Sequence, residues 1–132
     1  MMTSEDEQKA IEEDFSQSWD WIQRYFHDLF DPREWWAWLM PIHNLITELR
    51  QRGYDRQFRA GQSMYSLVLS RSFKHGLRAS QASLVFELLR EGGMKIRYDE
   101  VGHLVSEFEV DRVEITPEIE ALLARLLAQP ID

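Results

Sequence analysis

The stretch LVFELLREGGMKIRYDEVGHLVSEFEV, Leu84–Val110, decides the fold. Leu84, Phe86 and Leu88 alternate with Val85, Glu87 and Leu89. Met94, Ile96 and Tyr98 alternate with Lys95, Arg97 and Asp99, and Leu104, Ser106, Phe108 and Val110 alternate with Val105, Glu107 and Glu109. A period of two sends successive side chains to opposite faces of a strand, so each run reads as a strand with one apolar face. Glycines lie between the runs. A three-residue loop Glu91-Gly92-Gly93, and a second one Glu100-Val101-Gly102, would each place a glycine at the left-handed position that such loops need. That register sets Leu88 opposite Ile96, Phe86 and Leu104 opposite Tyr98, and Met94 opposite Phe108. On the other face Glu87 meets Arg97 and Lys95 meets Glu107. Both hairpins then sort apolar residues to one side and opposite charges to the other, as cross-strand pairing favours. A two-residue loop at Gly92-Gly93 would oppose Arg90 and Lys95, a like-charge pair. Upstream, Tyr65, Leu67 and Leu69 alternate with Ser66, Val68 and Ser70 and supply a further strand. The expectation is a four-stranded antiparallel meander, with the position of the first strand open.

Helical periodicity flanks this sheet. Ile11, Phe15, Trp19, Ile22, Phe26 and Leu29 recur at steps of three and four, with Trp21 and Tyr25 forming a second stripe beside them. Ser4 and Glu7 match a capping box at the start. Asp31-Pro32-Arg33-Glu34 opens a second helix, with Asp31 as N-cap and Pro32 at the first helical position. Trp35, Trp38, Leu39, Ile42, Ile46 and Leu49 carry its stripe. Pro41 inside it removes a hydrogen bond, and so kinks the helix or divides it into 33–39 and 41–52. Thr116-Pro117-Glu118 begins a C-terminal helix with Ile119, Leu122, Leu123, Leu126 and Leu127 on one side. The fold expectation is therefore α+β: two N-terminal helices, the second kinked at Pro41, then the meander and a C-terminal helix, the helices covering one sheet face. Residues 1–132 form a single domain by length, with 1–4 frayed.

Composition narrows the function. The chain has no cysteine, which removes disulfides, thiolate metal sites and cysteine nucleophiles and suits a reducing, cytoplasmic setting. The first residues lack the basic and apolar regions of a secretory signal, and no apolar run approaches the roughly 20 residues of a membrane span. Net charge is −8. Residues 1–30 carry −6, 31–49 carry −2, 50–78 carry +6 and 79–132 carry −6. A basic middle in an acidic chain reads as internal compensation, or as a surface for an anionic partner. The overall acidity argues against nucleic acid as that partner.

No chemical signature emerges. His27, His43, His75 and His103 lie in four separate elements without the i,i+4 spacing of a helical metal site. Phosphate-cradling glycine loops and nucleophile elbows are absent. Glu87, Glu107 and Glu109 read as the solvated charged face of the sheet. The expectation is a non-enzymatic domain without metal or cofactor.

Two surfaces remain. All five tryptophans fall between Trp19 and Trp38. Trp19, Trp35 and Trp38 lie on the main stripes of their helices, whereas Trp21 and Trp36 lie off those main stripes. A corner of Trp21, Tyr25, Trp35 and Trp36 is a candidate anchor for a partner protein, since aromatic residues are enriched at interfaces. The second candidate is the loop from Arg71 to Arg78, with Arg71, Lys74, His75 and Arg78 as cations and Phe73 among them. The functional expectation is a protein–protein interaction module, an adaptor, assembly factor or inhibitor, binding an unidentified protein or a second copy of itself. The competing expectation is a small-molecule pocket between helices and sheet, with His43 or His103 beside Tyr98 as polar handle. Nucleic-acid binding through residues 50–78 ranks third.

Overall fold

A computed structural model describes residues 3–29, 40–73 and 80–132. The expected second helix start at Asp31, the residues Trp35, Trp36 and Trp38, and the loop residues Lys74, His75 and Arg78 lie outside the described residues. The order of elements is α1 (Ser4–Leu29), α2 (Pro41–Gln51), a single 3-10 turn (Tyr54–Arg56), β1 (Arg59–Ser63), β2 (Ser66–Ser70), β3 (Ser83–Leu88), β4 (Met94–Glu100), β5 (His103–Val110) and α3 (Pro117–Leu127).

The sheet has five antiparallel strands in sequential order, not four. The additional strand is β1, Arg-Ala-Gly-Gln-Ser, which pairs with β2 from Arg59–Ser70 to Ser63–Ser66. It carries no large apolar residue, so no alternation announces it. Its place in the sheet comes from backbone pairing to β2 and from contacts with α1, neither of which is a local sequence signal.

The faces of β3 and β4 follow the alternation: Leu84, Phe86, Leu88, Met94, Ile96 and Tyr98 are buried. The registers differ from expectation. Leu88 pairs with Met94, Phe86 with Ile96, and Glu87 with Lys95. The loop is still three residues, but Leu89 pairs with Gly93 through a 3.1 Å hydrogen bond, so the loop is Arg90-Glu91-Gly92. Gly92 (φ +101°) and Gly93 (φ +81°) both take left-handed backbone. A Cβ on Gly93 would also collide with the Val110 carbonyl. Because the slip is two residues, every side chain keeps its face.

The β4–β5 loop is two residues, Val101-Gly102, rather than three, with Glu100 opposite His103. Both loop residues have positive φ, +50° and +76°. A bulge between Tyr98 and Asp99 then resets the register, so that Tyr98 meets Ser106 and Ile96 meets Phe108. Leu104, expected beneath Tyr98 on the apolar face, pairs with Asp99 instead and is 52% exposed. An extra residue in one strand bends it and re-aims its side chains, which accounts for the difference.

Helix starts need one adjustment. The α1 cap is Thr3 and Asp6, not Ser4 and Glu7: Asp6 N–H donates to Thr3 Oγ1 (3.1 Å) and Thr3 N–H to Asp6 Oδ2 (3.2 Å). Pro41 is the first residue of α2, where its missing N–H costs nothing. The α3 start is as read, with Thr116 accepting from Ile119 N–H and Pro117 next.

One buried cluster joins Trp19, Ile22 and Phe26 of α1, Ile42, Leu45, Ile46 and Leu49 of α2, and Ile119, Leu122, Leu123 and Leu126 of α3 to the apolar residues of β2, β3 and β4. Trp19 is its largest member, and its indole N–H donates to the Phe58 carbonyl (2.8 Å). A buried indole needs such a partner.

Candidate interaction surface

The surface is set by where α1 meets β1. With Phe15, Trp19, Ile22 and Phe26 all fully buried, the helix has one face in the core. Trp21 lies two residues from Trp19, about 200° around the helix, and so points elsewhere. It is 53% exposed. Its ring stacks on Tyr25 with centroids 5.5 Å apart and planes 17° apart. Tyr25 is half-buried, meets Phe26 edge-on at 5.2 Å, and donates its hydroxyl to the Met64 carbonyl (3.0 Å). Met64 sits at the β1–β2 turn with φ +56° and is 78% exposed. Trp21, Tyr25 and Met64 thus form an apolar ridge whose middle member is fixed at both ends.

Polar groups flank the ridge. On one side Asp14, Gln17, Ser18, Arg59 and Ala60 line an open hollow of about 370 Å³ against Trp21. There Arg59 donates to Asp14 (2.6 Å), and Ser18 Oγ accepts from Ala60 N–H (2.9 Å). On the other side Arg24, Tyr25 and Asp28 complete a hollow of about 270 Å³.

Four described arginines of the basic segment, Arg50, Arg52, Arg59 and Arg71, bond to acceptors of the chain itself. Arg50 pairs with Asp20 (2.9 Å) and Asp55 (3.2 Å). Arg52 pairs with Glu48 (3.0 Å) and Glu120 (2.8 Å), whose hydrogen bonds raise its pKa. Arg71, expected in the basic loop surface, donates Nε to the Gln129 carbonyl (3.0 Å) and Nη1 to the Gln57 carbonyl (2.9 Å). Its burial pulls the guanidinium pKa below its usual value. Beside it, Phe73 N–H donates to the Asp132 carbonyl and Asp132 N–H to the Arg71 carbonyl. Arg71 therefore ties three chain segments together.

The polar residues considered for a ligand pocket are spread over α2, β4 and β5, with His103 paired to Glu100 across the β4–β5 ladder. Tyr98 donates its hydroxyl to Glu100 (2.7 Å), and burial raises its pKa. Glu100 also receives Arg125 through Nε (2.7 Å) and Nη2 (3.0 Å), and these bonds hold its carboxyl below its usual pKa. His43 lies on α2 with its ring 6.4 Å from that of His27; burial first, and His27 second, lower its pKa. His103 is exposed at the start of β5. Among the described residues no group of three His, Asp or Glu side chains could hold a metal ion, and no helix is long and apolar enough to cross a membrane. No protein-family model, curated protein or solved structure matches this chain.

Proposed function

We propose that this protein is a non-catalytic interaction module that docks another protein on the Trp21–Tyr25–Met64 ridge. The observation that carries the reading is an indole exposed to 53% and held by stacking on a tyrosine whose hydroxyl is itself anchored. Interface energy concentrates in such aromatic anchors, and a ring already fixed in place loses little entropy on binding. Asp14, Arg59, Arg24 and Asp28 form the polar rim that orients the partner. Trp35, Trp36, Lys74, His75 and Arg78, the other residues expected to bind a partner, lie outside the described residues, and Arg71 is held by the Gln129 and Gln57 carbonyls away from the ridge residues. A chain without cysteine suits a cytoplasmic partner.

The test is a pair of variants, Trp21→Ala and Trp19→Phe, in affinity capture followed by direct binding to the captured protein. Trp21→Ala should weaken binding at least tenfold, as an interface anchor does, with its melting temperature nearly unchanged. Equal binding by Trp21→Ala and wild type would remove the ridge as the docking site. A second copy as partner would appear as a dimer in sedimentation that Trp21→Ala dissociates.

A further inference from the structure

The two edges of the sheet are treated in opposite ways. At β1 the helix α1 closes the edge: Trp19 takes the Phe58 carbonyl, Ser18 takes the Ala60 N–H, and Tyr25 takes the Met64 carbonyl. At the far end, among the described residues, β5 is the last strand of the sheet, eight residues long, and pairs with β4 alone. Which of its backbone groups face outward follows from the ladder. Leu89 and Gly93 form a hydrogen-bonded pair. Bonded and non-bonded pairs alternate, so Met94 and Ile96 turn their backbone groups away from β3 toward β5. Their partners are Val110 and Phe108. Glu107 and Glu109, between and beside those partners, therefore present N–H and C=O to the open edge. No hydrogen bond from the described residues reaches these backbone groups.

The side chains along this edge have a simple pattern. Glu107 and Glu109 are exposed on the outer face. Phe108 and Val110 are half-buried on the inner face, packed against the core without being covered by it. Among the described residues Glu109 has no ion pair, and Glu107 reaches Lys95 at 3.4 Å and Arg97 at 4.0 Å. The molecule already contains the complement of this edge. On its other side β5 pairs with β4, Met-Lys-Ile-Arg-Tyr, which sets basic residues against the glutamates and apolar residues against Phe108 and Val110.

We propose that the open edge of β5 accepts an extended segment of a partner protein as a sixth strand, a segment that alternates basic and apolar residues as β4 does. Backbone hydrogen bonds to Glu107 and Glu109 hold it, basic side chains face the two carboxylates, and apolar side chains complete the cover of Phe108 and Val110. The same glutamates disfavour a second copy of this chain at the edge. Two β5 strands side by side would bring Glu107, Glu109 and Asp111 near their counterparts in a protein of net charge −8.

The probe is a fluorescein-labelled peptide, Gly-Ser-Met-Lys-Ile-Arg-Tyr-Ser-Gly, titrated with the full chain and read by anisotropy. Binding should weaken roughly fivefold in Glu107→Gln/Glu109→Gln, the scale of two exposed ion pairs, and weaken as salt is raised. It should be lost in Glu109→Pro, which removes an edge donor and leaves the β4 ladder intact. A peptide N-methylated on the edge-facing amides should fail to bind wild type, a control that leaves the protein unaltered. A peptide with glutamate for both basic residues should not bind either. Unchanged binding of the N-methylated peptide, or no binding of the parent peptide up to about 1 mM, would overturn the proposal. So would a dimer in sedimentation that Glu109→Pro converts to monomer, since the occupant would then be a second copy. Trp21→Ala should bind the peptide as wild type does, which separates this edge from the aromatic ridge.

Discussion

Val101 is the most strained non-glycine residue of the β4–β5 turn, and its replacement tests the register directly. It is β-branched, has φ +50°, and is followed by Gly102 at +76°. Left-handed backbone costs an L-residue about 1–2 kcal/mol, and β-branched residues tolerate it worst. Asparagine is the preferred residue before glycine in a two-residue turn with both φ values positive. Val101 is 66% exposed, so a third of its surface is buried, worth about 0.5 kcal/mol. Val101→Asn should therefore stabilise the protein by about 0.5–1.5 kcal/mol. With an unfolding entropy of about 2.1 cal/mol/K per residue, that raises the melting temperature by about 2–5 °C. Urea titration should show a higher midpoint at unchanged slope. An unchanged or lower midpoint would refute the reasoning. A three-residue loop over Glu100-Val101-Gly102 would keep Val101 in ordinary backbone space, and asparagine would then bring no gain.

Two further outcomes follow from particular contacts. Trp19→Phe should cost about 2–4 kcal/mol in denaturant titration, because it leaves a void and orphans the Phe58 carbonyl, whereas Trp21→Ala should stay within about 1 kcal/mol of wild type. Glu100→Gln should lower stability at neutral pH and flatten its fall in acid. The folded carboxyl has a pKa below its usual 4.5, held there by Arg125 and then Tyr98, so its contribution is present above the unfolded value and is lost as pH falls through the folded one. The gap in melting temperature between wild type and Glu100→Gln should be full at pH 6 to 7, shrink below about 4.5, and close in stronger acid.

The faces of β3 and β4 were legible because alternation survives any slip by an even number of residues, and the first hairpin slips by two. Loop chemistry was less decisive: Gly92-Gly93 and Val101-Gly102 each allow more than one loop, and the choice depends on the crowding of Gly93 against Val110 and on a bulge that no residue type announces. β1 was illegible because Arg-Ala-Gly-Gln-Ser has no apolar period; three contacts with α1, each about 40 positions away in sequence, hold its edge. Trp21 was legible as lying off the core stripe. Its support was not, since the bond from Tyr25 to the Met64 carbonyl spans 39 residues. Arg71 was read as a surface cation because a sequence does not reveal which carbonyls will surround it.

The acidic surplus has a structural logic that bears on both proposed surfaces. Arginines of the basic middle are neutralised in place: Arg50 by Asp20 and Asp55, Arg52 by Glu48 and Glu120, Arg59 by Asp14. Glu109, by contrast, has no ion pair among the described residues and sits on the strand edge that none of the described helices closes. Exposed ion pairs add little stability, so leaving this carboxylate without a partner costs the fold little. Its value lies in selection, because an open edge is a hazard unless something decides what joins it. Like charges turn away a second β5, and the alternation of Glu107, Phe108, Glu109 and Val110 admits a strand patterned like β4. On the proposed reading the aromatic ridge would select by shape and the β5 edge by charge, so a partner able to use both would have to reach from the α1–β1 side of the molecule to the opposite edge of the sheet.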